Sequence, residues 1–238
     1  MIIHRLIARH LQHGDDSEFY RIQASDSIAW LQGQGVVIAK DTQVLDLGCG
    51  HGIFGKELSQ HQCDVHYADQ TNDLAQELKS ASFFQIDLDK DPYAPLGSHD
   101  LVICSNVLEH LSDPDRFLEN CRSILKPNGY LYLSWTNWLS PWGGHDFSPF
   151  HYLGPKTGPK VYDRLIGKKR IHTPFETLYP TYIGEMLSKI QRLEGLTTVK
   201  IVPRYYSEFE LLMKIPCLRE FLAWNCSMLI RRAPKDTD

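Results

Sequence analysis

The sequence predicts an α/β fold with a doubly wound, mostly parallel sheet of seven strands and an insertion after strand five. Short apolar segments alternate with helical segments through the first half of the chain, which is typical of strand–helix–strand units. The run Leu101–Ser105 is apolar almost throughout, as expected for a strand buried on both faces of a parallel sheet. The early predicted strands also end at polar or glycine residues, so the sheet is Rossmann-like.

The elements before the insertion are predicted at 15–30 (helix), Gln43–Asp46 (strand), Phe54–Gln60 (helix), Asp64–Ala68 (strand), Asn72–Lys79 (helix), Phe83–Ile86 (strand), Leu101–Ser105 (strand), Pro114–Leu125 (helix) and Tyr130–Ser134 (strand). Asp113 is a suitable N-cap for the helix that starts at Pro114. Lys126–Gly129 is predicted to turn the chain into the fifth strand. The elements after the insertion are predicted at Thr181–Arg192 (helix), 197–202 (strand), Glu208–Trp224 (helical, broken at Pro216) and Ser227–Arg231 (closing antiparallel strand).

The chain is predicted to form one domain in four parts. Residues 1–35 form an N-terminal helical cap that starts with a short amphipathic helix at Met1–Gly14, and residues 36–136 form the ligand-binding core. Residues 137–180 form an insertion or lid on the side where a substrate would bind, and residues 181–238 complete the sheet. The insertion is rich in aromatic residues, which argues against disorder. They are predicted to be pocket walls or the insertion's own core: Trp135, Trp138, Trp142, Phe147, Phe150 and Tyr152.

Composition limits the possible functions. The net charge is −4 over 238 residues, so no overall field favours nucleic acid. The six cysteines include no Cys-x-x-Cys pair, which favours a reducing, cytoplasmic location. No run is long enough to span a membrane. The basic stretch within 156–170 can attract a phosphate, a sugar nucleotide or a lipid headgroup, which would allow peripheral membrane contact.

Four glycines, at positions 48, 50, 52 and 55, crowd the turn between the first strand and the following helix. Such a turn lets a ligand lie against the backbone at a helix start. Gly50–Gly55 matches the G-x-G-x-x-G pattern of dinucleotide-binding proteins, and Asp69 lies where a ribose-binding acid belongs. NAD is therefore one candidate. Asp46 opposes it, since its carboxylate would repel a pyrophosphate; a phosphate-free cofactor with an amino group fits better.

Val44–Gly52 resembles motif I of the class I S-adenosylmethionine-dependent methyltransferases, of the methyltransferase type 11-like kind, and the resemblance covers about residues 40–136. Asp69 matches the acid that holds the ribose hydroxyls, and Asp87 matches the acid that binds the adenine amino group. Leu101–Leu111 matches the fourth-strand motif beside the methionine part, and Leu125–Tyr130 matches the turn before strand five. The resemblance implies S-adenosyl-L-methionine as cofactor, bound by Asp46, Gly48, Cys49, Gly50, Gly52, Asp69, Gln70, Asp87, Leu88, Asn106, Val107 and His110.

Methyl transfer to a hydroxyl requires alignment, exclusion of water and a base. We expect His145, beside Asp146, to be the base, with His151 as the second candidate. A role in holding the loop is equally compatible with both histidines, and His110 is either substrate-facing or structural. His145, Asp146 and His151 form a conceivable metal site, but their spacing matches no established geometry, so no metal is expected.

The sequence thus predicts a methyltransferase acting on an oxygen of a small-molecule, glycan or lipid-linked acceptor. Ser105–Leu108 stands where the amino-methylating nucleic-acid enzymes of this superfamily carry an Asn/Asp-Pro-Pro-Tyr tetrapeptide. The alternatives are a noncatalytic S-adenosylmethionine-binding module and an NAD-dependent oxidoreductase. Acceptor identity and oligomeric state are left open by the sequence.

Overall fold

A seven-stranded sheet forms the centre of the structure, a computed structural model that describes residues 17–234. Its strands are β1 (Gln43–Leu47), β2 (Asp64–Asp69), β3 (Phe83–Gln85), β4 (His99–Ser105), β5 (Leu125–Thr136), β6 (Leu196–Pro203) and β7 (Asn225–Arg232). They lie in the order β3-β2-β1-β4-β5-β7-β6. Only β7 runs against its neighbours, since it pairs antiparallel with both β5 and β6. The predicted fold class is confirmed.

Helices cover both faces of the sheet. They are α1 (Ser17–Gly33), α2 (Ile53–Ser59), α3 (Pro114–Ile124), α4 (Gly158–Leu165), α5 (Ile183–Arg192) and α6 (Pro216–Leu222). The helices α1 and α2 pack on one face, and α3 and α5 pack on the other. The N-cap prediction is confirmed, because the Asp113 side chain accepts a hydrogen bond from the Arg116 amide.

The strands alternate their side chains between the two cores. Leu45 and Val102 contribute to the core under α3 and α5, whereas Val44 and Leu101 contribute to the core under α1 and α2. In register, Val44 lies opposite Leu101 and Leu45 opposite Val102. Continuous apolar sequence is therefore required on these central strands, since neither face meets water.

Three local predictions are wrong. The predicted helix Asn72–Lys79 is irregular except for one 3₁₀ turn at Gln76–Leu78, because Leu74 is the only side chain from 71 to 80 that is fully buried. Lys126–Gly129 does not precede β5 but bulges within it, between the pairs His99–Leu125 and Leu101–Tyr130. The stretch predicted as Glu208–Trp224 begins earlier, as the 3₁₀ segment Arg204–Lys214, before α6.

The insertion after β5 has its own small core. Trp138, Phe147, Tyr162 and Leu178 pack together, and Trp135 is buried in the sheet core. Trp142 and Tyr152 are exposed. Most of the large aromatic residues of this region therefore serve packing rather than pocket walls. The insertion is tied to the loop after β4, since the Tyr179 amide donates to the Glu109 carbonyl at 2.7 Å.

The predicted helix Met1–Gly14, and with it much of the predicted cap, lies outside the described residues. Between residues 17 and 234, each helix is too short or too polar to cross a bilayer.

His99 gives the folded state a pH dependence that can be measured. Its side chain is 2% exposed at the start of β4, and its Nε2 lies 3.2 Å from His66 Nδ1. Burial, with a smaller effect of His66, lowers the pKa of His99 to about 4. The unfolded chain therefore binds a proton near pH 6.5 that the folded chain does not bind, so stability falls as the pH drops from about 6.5 towards 4.

The free energy of unfolding should fall less with decreasing pH in His99→Gln than in the wild type. The difference should be at most about 3 kcal/mol, since each pKa unit corresponds to about 1.4 kcal/mol. Urea unfolding of wild type and variant between pH 7.5 and 4.5 measures the difference in slope. Parallel curves for the two proteins would contradict the assignment.

Candidate cofactor and active site

The glycine turn leaves bare backbone at the carboxyl end of β1. Gly48 has φ +74°, and a Cβ there would lie 2.4 Å from Val107 Cγ2, so only glycine fits this contact with the β4 loop. Gly50 has φ +50°, and a Cβ there would meet nothing within 4 Å. The turn therefore combines a tight contact below with open space above, where a ligand can lie against the backbone.

Two carboxylates already occupy the amides of this turn. The Gly55 amide donates to Asp46 Oδ2 at 2.8 Å, and the Gly50 amide donates to Asp69 Oδ2 at 2.8 Å. Asp69 Oδ1 also accepts from the Gln70 amide at 2.6 Å. Amides that would bind a pyrophosphate are thus already bonded to acidic groups, and this geometry disfavours NAD.

Asp46 is the most strongly buried acid of the turn, with 2% of its surface exposed. Burial raises its pKa to about 7, and the hydrogen bond from Gly55 opposes part of this effect. A nearby cation would restore its charge. Asp46 is therefore suited to receive a positively charged ligand group.

A cleft of about 780 Å³ opens at the carboxyl ends of β1, β2 and β4 and beyond β3. The cleft is lined by eight of the residues that the sequence predicts to bind the cofactor: Gly48, Asp69, Gln70, Asp87, Leu88, Asn106, Val107 and His110. The Asp87 carboxylate at its far side is held by Lys90 at 2.7 Å and by Gln70 Nε2 at 3.2 Å. The hydrogen bond from Lys90 lowers the pKa of Asp87. The structure thus brings together residues from four separate strand ends.

A second cavity of about 330 Å³ shares Gly48 and Asn106 with the cleft and is also lined by Asp46, Cys49 and Gly50. Gly52 lines neither space. A Cβ on Gly52 would lie 2.7 Å from Leu74 Cδ2 and from Leu78 Cδ1. On its Cβ side Gly52 faces apolar side chains that pack on the turn, so its cofactor contact stays a prediction.

Arg204 lines the second cavity and was not predicted. It is 4% exposed and donates to Asn106 Oδ1 at 3.3 Å, Ser134 Oγ at 3.2 Å and Ser27 Oγ at 3.3 Å. Its Nε is buried without a partner, and no carboxylate pairs with it between residues 17 and 234. A buried guanidinium held only by neutral groups is costly. The cavity thus presents an acid, Asp46, and an unpaired cation, Arg204, which suits a zwitterionic amino-acid group.

A sequence signal for Arg204 was available. It follows directly after β6, which runs parallel to β5 because β7 opposes both. Its position at the carboxyl end of a strand is therefore equivalent to that of Asp69 or Asn106.

Three histidines converge beside the cleft. His110 and His172 line it, and His145 lies behind them, with ring centroids 5.4 Å from His110 and 4.7 Å from His172. Burial, and then the two neighbouring histidines, lower the pKa of His145 to about 4. We call His110, His145 and His172 the histidine cluster.

Asp146 contacts the histidine cluster through His172, whereas the sequence predicts that it acts with His145. His172 Nδ1, rather than a nitrogen of its sequence neighbour His145, lies 2.7 Å from Asp146 Oδ1. Asp146 Oδ2 accepts from the Ile171 amide at 2.7 Å. His172 was missed because it is 26 residues away from Asp146 along the chain.

His151 lies outside the cleft. It is 0% exposed, its Nε2 lies 3.0 Å from the Ser140 carbonyl, and its ring packs on Trp138. Burial lowers its pKa. The expectation that His151 is a base, or a metal ligand with His145 and Asp146, is therefore wrong; it holds the insertion together.

Two site residues adopt the left-handed backbone region without being glycine. Asn106, after β4, has φ +58°, and His145 has φ +49°. Such conformations persist where the surrounding structure enforces them, and they concentrate at functional sites. Asn106 lines both the cleft and the second cavity, and His145 lies against His110 and His172, which line the cleft.

Comparison with known proteins agrees with this geometry. The family model described as a methyltransferase domain matches residues 7–196. A protein of Mycolicibacterium gilvum (strain PYR-GCK), described as an uncharacterized methyltransferase, is 28% identical over 240 residues, which is 95% of this chain and 92% of that protein.

Two solved structures show the same fold. An S-adenosylmethionine-dependent methyltransferase from Mesorhizobium loti has a TM-score of 0.60 at 19% identity, covering 87% of this chain and 98% of that one. A magnesium protoporphyrin IX methyltransferase from Synechocystis PCC 6803 has a TM-score of 0.55 at 18% identity, covering 90% of this chain and 84% of that one. Because the family model spans most of the sequence, the chain belongs to the methyltransferase domain family and has the class I S-adenosylmethionine-dependent fold that the motif resemblance implied.

Proposed function

We propose that this methyltransferase transfers the methyl group of S-adenosylmethionine to an oxygen atom of a small-molecule, glycan or lipid-linked acceptor, and that the histidine cluster activates this oxygen. The observation that carries the proposal is the position of His110 and His172 in the same cleft as the strand-end acids. Donor-binding and acceptor-activating groups thus share one space.

The residues present fit the cofactor. Asp69, fixed by the Gly50 and Gln70 amides, presents a carboxylate that suits the vicinal hydroxyls of a ribose. Asp87 and Leu88 lie at the other side of the cleft, where the adenine would be held. The methionyl end would occupy the second cavity, with its amino group near Asp46 and its carboxylate near Arg204.

S-adenosylmethionine, when bound, supplies an electrophilic methyl group: the acceptor oxygen bonds to the methyl carbon as the carbon–sulfur bond breaks, and the bond pair passes to sulfur. The chain has to align the acceptor, exclude water and take up the hydroxyl proton. Asp146 accepts the hydrogen of His172 Nδ1, which leaves the Nε2 lone pair of His172 available to the acceptor.

An oxygen acceptor explains the histidines better than a nitrogen acceptor. A hydroxyl has a pKa far above neutrality and needs help to lose its proton, whereas a neutral amine already carries its nucleophilic pair. Histidines held close to a carboxylate supply this help. The revised assignment replaces the expected His145–Asp146 pair with an Asp146–His172 pair.

Of the three acceptor classes, the surface next to the cleft favours a lipid-linked acceptor. Leu165 is 67% exposed and Ile171 is 79% exposed, and the intervening Lys168 and Lys169 are exposed too. Ile171 also lines the cleft. Apolar and basic side chains presented together suit the interface of an anionic membrane, so this edge can carry a lipid-linked acceptor to the histidine cluster.

Asp69→Ala tests the ribose contact. We expect about a 10- to 100-fold loss of affinity for S-adenosylmethionine, because charge-assisted hydrogen bonds disappear. The loss should be equal for 5′-methylthioadenosine, which keeps the ribose. Calorimetry with both ligands measures it, and Asp64→Ala, at the opposite end of β2, is the matched control. Unchanged affinity would place the ribose elsewhere.

Arg204→Gln tests the methionyl contact with the same two ligands. We expect about a 10- to 100-fold loss for S-adenosylmethionine and no loss for 5′-methylthioadenosine, which lacks the amino-acid end. Arg231→Gln, at an exposed site on β7, serves as the control. Equal losses for both ligands would show that Arg204 supports the cavity rather than binding the carboxylate.

His172→Gln tests activation of the acceptor. Transfer of labelled methyl from S-adenosylmethionine is measured against panels of soluble phenols and sugars and of lipid-linked glycans. We expect turnover to fall by about 10²- to 10⁴-fold while calorimetry shows retained cofactor binding, with His61→Gln as control. Transfer to amines alone would contradict the oxygen assignment. Cofactor binding without transfer to any acceptor would favour the noncatalytic binding module.

A further inference from the structure

The histidine cluster gathers three imidazoles from three separate parts of the chain. His110 ends the 3₁₀ turn after β4, His145 begins a 3₁₀ turn of the insertion, and His172 follows α4. One ring nitrogen from each lies within 4.8 Å of the other two, and all three side chains are half-buried. Three basic side chains have no reason to converge in this way for packing alone.

Two of the three rings are oriented by acceptors on their outer side. His172 Nδ1 lies 2.7 Å from Asp146 Oδ1, and His110 Nδ1 lies 2.7 Å from the Thr177 carbonyl oxygen. A carboxylate and a carbonyl can only accept, so each Nδ1 carries a hydrogen, and in the neutral ring the lone pair is on Nε2. Metal-binding histidines are held in this way, with the other ring nitrogen bonded to a carboxylate or a backbone carbonyl.

His145 completes the set. Its Nδ1 is buried and has no hydrogen-bond partner among the described residues. A buried polar atom without a partner is costly, and a nitrogen in this state is available as a metal ligand. The His145 ring lies beside the other two, with its centroid 5.4 Å from that of His110 and 4.7 Å from that of His172.

We propose that the histidine cluster binds one divalent transition-metal ion of the zinc type through three imidazole nitrogens, with the remaining coordination position open to the cleft. Three neutral nitrogen ligands suit zinc, cobalt, nickel or copper, whereas magnesium and calcium require oxygen ligands. Tetrahedral coordination at about 2.0–2.1 Å brings the nitrogens to about 3.3 Å from one another. Rotations of the half-buried side chains provide this contraction from the present limit of 4.8 Å.

The open position would face the acceptor. His110 and His172 line the cleft, so a hydroxyl entering it can reach an ion held by them. A bound metal ion would lower the pKa of a hydroxyl that it coordinates, so that the hydroxyl proton would pass to water from the cleft rather than to a ring nitrogen. This consequence rests on the proposed function; the binding of the metal does not.

The test is titration of metal-free, full-length protein with Zn²⁺ by calorimetry and with Co²⁺ by visible absorption, both without acceptor. A Cys217→Ser background is used because Cys217 is the exposed cysteine of the described chain. We expect one Zn²⁺ per chain and a tetrahedral Co²⁺ spectrum. His110→Ala, His145→Ala and His172→Ala should each weaken Zn²⁺ binding by at least about 10-fold, and Asp146→Asn by about 10- to 100-fold. His61→Ala should match the parent protein.

Equal Zn²⁺ affinity in the parent and the three cluster variants, or no Co²⁺ spectrum, overturns the proposal. Near-UV circular dichroism verifies folding, and His145→Gln replaces His145→Ala if the smaller side chain unfolds the insertion. Methyl transfer by the metal-free protein at the full rate would leave the proposed function standing and remove the metal from it. Zn²⁺ binding at the cluster without methyl transfer would support the metal site and refute the proposed function.

Discussion

The bond between the Gly50 amide and Asp69 Oδ2 is the interaction on which the rest of the site depends. It joins the glycine turn after β1 to the end of β2 at 2.8 Å, and the matching bond from Gly55 to Asp46 holds the start of α2. Together these two bonds hold the glycine-rich stretch of backbone in place. They also give the turn a negative electrostatic environment, because both acceptors are carboxylates. A cation-bearing cofactor is favoured there, and a phosphate is opposed.

Sequence reasoning succeeded where local chemistry and global topology agree. The strands β1 and β4 are short, mostly apolar and buried on both faces, so their positions and their shared edge of the sheet could be predicted from the sequence pattern alone. Asp46, Asp69 and Asn106 could be placed beside the glycine turn because each lies at the carboxyl end of a predicted strand. The helix predicted at Asn72–Lys79 is absent because most of its side chains are polar and have no core to pack against. The motif also does not reveal which glycine lies beside the cavity, as Gly50 does, and which faces leucine side chains, as Gly52 does.

The acceptor side could not be predicted, because its contacts are long-range. Asp146 pairs with His172 rather than with its sequence neighbour His145, and His172 lies 26 residues further along the chain. The spacing of residues along the chain does not encode this pairing. A histidine's neighbours in sequence describe its role poorly when a folded insertion brings other histidines closer in space.

The insertion has a small hydrophobic core of its own, formed by Trp138, Phe147, Tyr162 and Leu178, and it carries His145 and His172, whereas the donor-binding acids lie on the sheet. Under the proposed function, donor recognition depends on the strand ends, whereas acceptor recognition depends on the insertion together with His110, which follows β4. These stretches are far apart in sequence and meet in the folded chain. Residues within 171–179 line one side of the cleft and the strand-end acids line the other, so substitutions in the insertion would alter the acceptor side most, and one donor site could serve successive chemistries.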